Sequence, residues 1–104
     1  KLCAKHLPED FRKYSECICG LGKSSYFHKV IYEDMMIFDE KKVADELLTV
    51  FKEACNDNTD ALLLECTNMP PYKQDLKQFK PVKIFDILSA IEALLPNTVK
   101  PTYL

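Results

Sequence analysis

The stretch ALLLECTNMPPY, residues 61–72, constrains the fold more than any other part of the chain. Ala61 to Glu65 is a short, continuous apolar run closed by an acid. Such a run reads as a strand buried on both faces, the kind a parallel sheet uses beneath covering helices. Pro70 and Pro71 then punctuate it. Each residue before a proline is pushed away from helical angles, so the next helix is predicted to begin near Pro71. The strand signal returns in Pro81 to Phe85. Asp86 follows as an N-cap, and Ile87, Leu88, Ala90, Ile91, Leu94 and Leu95 give the last helix an apolar stripe that stops at Pro96. Strand, helix, strand, helix is the signature of a βαβ unit with a parallel sheet.

Upstream, the clearest element is a helix over about residues 40–55. Asp39 caps it, and Val43, Ala44, Leu47, Leu48, Phe51, Ala54 and Cys55 recur every three or four positions before Asn56-Asp57-Asn58 ends the pattern. Pro8, Glu9 and Asp10 suit the first turn of a short helix over residues 8–14. ECICGL, residues 16–21, reads as a buried strand. Residues 22–38 contain KVIYEDMMIF, which has no clean period, and are expected to form loop with a turn of helix. No repeat, low-complexity tract or linker interrupts the chain. The reading is therefore one α/β domain over residues 1–104, a small, mainly parallel sheet with helices on both faces.

Length and charge narrow the function classes. The 104 residues are enough for one domain with a real core. With a net charge of −2 and lysines alternating with acids, no basic face emerges, which argues against a nucleic-acid partner. No apolar run approaches the roughly 20 residues that cross a bilayer, and no N-terminal stretch reads as a signal peptide, so no membrane partner is expected. The five cysteines, at positions 3, 17, 19, 55 and 66, are odd in number. Cys17, Cys19 and Cys55 lie in apolar segments and read as interior, so free thiols in a reducing, cytoplasmic compartment are expected. The chain starts at Lys1 with nothing ahead of KLCAK to pack on, the mark expected of a fragment or cleaved product.

The chemistry concentrates at Cys66. Ligands of parallel α/β sheets bind beyond the carboxyl ends of the strands, where Cys66 follows the 61–65 strand. A helix beginning beyond it would point N–H groups at the loop, favouring a carboxylate ligand or a thiolate. Thr67 and Asn68 add hydrogen-bonding groups at the same place. The plainer reading stands beside this one. A cysteine at a strand end is most often a small packed hydrophobe, with Thr67 and Asn68 as turn and capping residues.

ECTNMPPY followed by PVKIFDILSAIEAL resembles the second half of the aspartate/glutamate racemase superfamily, most densely over residues 61–95. Weaker agreement extends to LPEDF, like the family's helix start, and ICGLG, like its next strand. The resemblance implies one domain of a two-domain racemase or related isomerase that acts on amino acids or related acids without PLP or any other cofactor. In that family each domain contributes one cysteine to the cleft. One thiolate removes the α-proton, and the other thiol returns a proton on the opposite face. Cys66 falls on the second-domain cysteine, and Thr67 and Asn68 on neighbours that hold the substrate carboxylate.

The chain departs from the family pattern in carrying no copy of the first-domain cysteine loop. Lys83 and Ile84 extend the Pro-Val-Phe-Asp segment, and Lys80 stands where glycine is common. Half an active site is thus expected, inactive as an isolated chain and completed by a missing N-terminal domain, a second chain or a homodimer. A non-catalytic domain that binds small acids or serves assembly is the alternative.

Three further signals are weaker. GLGKSS, residues 20–25, hints at a phosphate loop, but Cys17 occupies the position where the motif needs its first glycine. Cys17 and Cys19 share one face of the expected strand without the four-ligand set that zinc sites use. His6 and His28 have no partners at ligand spacing. No metal or cofactor site is expected.

Overall fold

A computed structural model describes residues 3–104, which divide into two compact units, one up to Asn56 and one over Asp57–Leu104. Among the described residues no helix is long and apolar enough to cross a membrane.

The first unit is helical. Two 3-10 segments, Ala4–His6 and Glu9–Cys17, precede α1 (Tyr26–Tyr32) and α2 (Glu40–Ala54). The helix expected over residues 8–14 takes the tighter i→i+3 winding instead. The Phe11 amide donates to the Pro8 carbonyl at 2.9 Å, and none of the residues in this segment is buried. Without an apolar face to dock, nothing rewards the wider α-helical turn. The strand expected at residues 16–21 does not form. Cys17 closes the 3-10 segment, residues 18–22 have no regular structure, and Cys17 and Cys19 are exposed rather than interior. An apolar run becomes a strand only where a second strand takes up its backbone groups, and none does so here.

α1 and α2 form the core of this unit. Phe27 and Val30 of α1 and Val43, Leu47 and Phe51 of α2 are buried, Val43 completely. The Asp39 carboxylate accepts the Lys42 N–H at 3.1 Å, as its N-cap position predicts. Glu46 reaches from α2 to the start of α1. Its two carboxylate oxygens accept the Tyr26 and Phe27 N–H groups, each at 2.8 Å. Cys55, expected inside the core as the last stripe residue, is the half-buried C-cap.

The second unit is a βαβα arrangement. Strand β1 (Ala61–Leu63) runs parallel to β2 (Lys83–Phe85), with Leu62 opposite Ile84. Between them lie a 3-10 turn, Pro70–Tyr72, and α3 (Lys73–Phe79); α4 (Ile87–Leu94) follows β2. Both strands are shorter than the apolar runs that announced them. Pro81 has no N–H to give, and the Val82 N–H turns back to the Lys80 carbonyl at 2.8 Å, so pairing starts only at Lys83.

One face of this sheet is uncovered, so it does not carry helices on both faces. Leu63 is 67% exposed and its cross-strand partner Phe85 51%, while Leu64, Leu76 and Val82 are buried. The expectation of a doubly buried strand fails because the sheet has two strands, with nothing among the described residues of this unit over the second face. The helical segment after β1 begins near Pro71 as expected, as a 3-10 turn from Pro70 that gives way to α3 at Lys73. Met69 adopts right-handed helical angles (φ −89°, ψ −28°) despite preceding Pro70, and the turn starts at Pro70 itself.

Candidate functional site

The chain leaves β1 through Leu64, whose N–H donates to the Phe85 carbonyl at 2.8 Å and so extends the parallel ladder by one rung. Glu65 follows, and the backbone then turns at Cys66, with the Met69 N–H donating to the Cys66 carbonyl at 3.1 Å. Cys66 is half-buried, and Thr67 and Asn68 beside it are exposed. The thiol is neither sealed in the core nor splayed into solvent. The three residues singled out in the sequence are consecutive in one turn, just beyond the C-terminal end of β1.

The helix start beyond them does not supply the donors expected of it. Pro70 and Pro71 occupy its first two positions and carry no N–H. The next N–H, from Tyr72, is spent on the Met69 carbonyl at 3.0 Å. The run of free amides that makes a helix N-terminus attractive to anions is absent here.

What the sequence reading missed is the ion pair beneath the loop. Lys73 opens α3 with its side chain 2% exposed, and its Nζ lies 2.8 Å from Oδ2 of Asp86, whose side chain is fully buried. Neither atom has a further hydrogen-bond partner among the described residues. The other Asp86 oxygen accepts the Ser89 N–H at 2.7 Å, and the Ser89 hydroxyl accepts the Asp86 N–H at 2.9 Å, closing a capping box on α4. Burial pushes the Asp86 carboxyl up, but hydrogen bonds from Lys73 and Ser89 and the lysine's charge outweigh it, leaving the group below its ordinary value. One signal for the pair was present in the sequence. A lysine in the first turn of a helix opposes the macrodipole and calls for a nearby anion.

The remaining sequence signals resolve as structure. At GLGKSS the α1 amides are already engaged, those of Tyr26 and Phe27 by Glu46 and that of His28 by the Ser25 hydroxyl at 3.1 Å. A carboxylate of the chain itself thus sits where a phosphate would have to bind. An open hollow of about 610 Å³ beside this turn is lined by residues including Lys23, Lys29, Lys42 and Glu46, all in the first unit. His28 stacks on Tyr32 at 5.8 Å, and His6 Nδ1 accepts the Cys3 N–H at 3.1 Å. No cluster of three or more metal-ligating side chains occurs among the described residues.

Comparison of the chain with protein-family models, with curated proteins and with solved structures finds no match.

Proposed function

We propose that the chain contributes the second-domain half of a cofactor-independent amino-acid racemase or isomerase of the aspartate/glutamate type. Cys66 is its acid/base, and Thr67 and Asn68 bind the substrate carboxylate. One observation carries the reading: ECTNMPPY forms the turn at the C-terminal rim of a parallel βαβ unit, with a partly accessible thiol flanked by two exposed polar residues. That rim is where parallel sheets place their ligands.

In this reading the Cys66 thiolate takes the α-proton from one face of the bound acid, and the electron pair delocalises into the substrate carboxyl. A second thiol, from a complementary half, delivers a proton to the opposite face. Cys66 acting by itself returns a proton only to the face it came from. In deuterated water the full-length protein, and not this half by itself, is therefore expected to racemise aspartate or glutamate with α-deuterium incorporated, read by proton NMR. The Cys66→Ser variant is expected to abolish racemisation. Racemisation that survives this substitution, or its absence for both enantiomers of both acids in the full-length protein, overturns the assignment.

The assembly reading also has support in a specific observation. Leu63 and Phe85 form an uncovered apolar face on the sheet. Binding of a small acid without exchange, or self-association through that face, would favour a non-catalytic domain.

A further inference from the structure

The loop that carries Cys66 is fastened at both ends to the same two residues. At its start, the Leu64 N–H donates to the Phe85 carbonyl at 2.8 Å. At its end, the Lys73 ammonium sits 2.8 Å from the Asp86 carboxylate. Phe85 and Asp86 are consecutive, the last residue of β2 and the N-cap of α4. Everything between Leu64 and Lys73, including Cys66, Thr67 and Asn68, spans two anchors one residue apart. Two inner hydrogen bonds, Met69 to Cys66 and Tyr72 to Met69, then fold the span into successive turns.

The second anchor is an expensive one. Its ammonium has three protons and only the Asp86 carboxylate within reach. Buried pairs of this kind are often no more stabilising than apolar residues of the same volume, so stability alone does not account for it. Geometry does. An apolar pair at 73 and 86 would tolerate sliding of α3 against the end of β2, whereas a buried charge contact penalises every placement that separates the ammonium from the carboxylate. Asp86 is itself held by the Ser89 capping box, so the anchor is rigid on its sheet side.

We infer that Lys73 and Asp86 are positioning residues for the Cys66 turn, acting through the two-ended clamp on Phe85 and Asp86. The inference deepens the role proposed for Cys66 and rests on that turn being the functional one. Its test reads the thiol rather than turnover, so it can fail while the proposed chemistry stands, and the reverse.

The experiment is peptide-resolved alkylation of the native chain by iodoacetamide at pH 7.5, with Cys66 compared against Cys17, an exposed thiol of the first unit. Lys73→Met is expected to raise the Cys66:Cys17 rate ratio about tenfold, as the released turn opens locally. Asp86→Asn keeps the acceptor for Ser89 but breaks the pair, and is expected to do the same. Lys73→Arg restores a cation and is expected to return the ratio to within about twofold of the parent. Amide exchange across β1 and β2 reports whether the sheet persists in each variant. The inference is overturned by an unchanged ratio in Lys73→Met and Asp86→Asn with the sheet intact. It is overturned equally by Lys73→Arg behaving as Lys73→Met does. The double variant Lys73→Met, Asp86→Asn strands no charge and is expected to keep the sheet protected with a raised ratio, so an unchanged ratio or a lost sheet in that variant also overturns the inference.

Discussion

Replacing Lys73 by methionine tests the energetic account of the second unit most directly. At 2.8 Å and an effective dielectric constant of ~20, the attraction between the Lys73 and Asp86 charges is about 6 kcal/mol. Desolvating the two ions costs several kcal/mol each, so the pair as a whole lies near balance. Removing one partner is a different matter. It leaves a fully buried carboxylate with the Ser89 hydrogen bonds and no counter-ion. A loss of about 3–5 kcal/mol at pH 7 is expected, a large share of what holds a small unit together.

The pH dependence identifies the cause. In the parent, the Asp86 carboxyl is held below its ordinary value near 3.8, so its contribution is complete above that value and is lost only as pH falls through the lower folded one. In Lys73→Met, burial without the cation pushes the same group upward, and protonation removes the stranded charge. The deficit of the variant should therefore shrink as pH falls from 7 towards 4, while the parent loses nothing through Asp86 over that range. Urea titration at several pH values, with amide exchange at β1 and β2 to assign the transition, gives the two curves. The double variant Lys73→Met, Asp86→Asn should recover most of the loss. A deficit under about 1 kcal/mol at pH 7, or one that is constant from pH 7 to 4, would refute the reasoning.

Two further substitutions probe each unit separately. Glu46→Ala removes both carboxylate acceptors from the Tyr26 and Phe27 N–H groups and is expected to cost about 1–2 kcal/mol in urea titration, with faster amide exchange at the start of α1. Leu63→Lys with Phe85→Lys places charge on the uncovered face. It should leave stability within about 1 kcal/mol of the parent while lowering self-association in sedimentation at high concentration. Equal sedimentation of parent and variant would count against that face as a contact surface.

Local signals that need no distant partner were legible in the sequence. Asp39 and Asp86 cap the helices they were expected to cap, because an N-cap depends on one side chain and the amide three residues on. The α2 stripe is equally local, and Val43, Leu47 and Phe51 are buried as its spacing requires. The parallel strand–helix–strand order over residues 61–85 is present too. Signals whose meaning depends on what lies alongside were misread. ECICGL and ALLLE are both short apolar runs carrying one acid, yet only the second finds a strand to pair with, and then for three residues. Burial of Leu63 and of Cys17 was inferred from apolar neighbours in sequence, but burial is conferred by neighbours in space. The partner of Lys73 was illegible for the same reason, although a lysine in a helix's first turn calls for some anion. Nothing in the interval between the two residues announces contact, and Asp86 had already been assigned a sufficient role as a cap.

The two prolines and the buried pair bear on one question, how a turn at a sheet rim is held ready for a ligand. A helix N-terminus commonly does this with free amides, which both fix the loop and attract an anion. Here Pro70 and Pro71 remove those amides, and Tyr72 and Met69 use theirs within the turn. Rigidity and anion recognition are thereby separated. Proline φ restriction, the inner hydrogen bonds and the Lys73–Asp86 anchor supply the first. In the proposed function the second would come from exposed groups such as Thr67 and Asn68 and from the complementary half. The paired-thiol chemistry proposed above would need each sulfur within about 0.5 Å of its productive position, and for that a turn fixed from beneath is of more use than one fixed by its ligand.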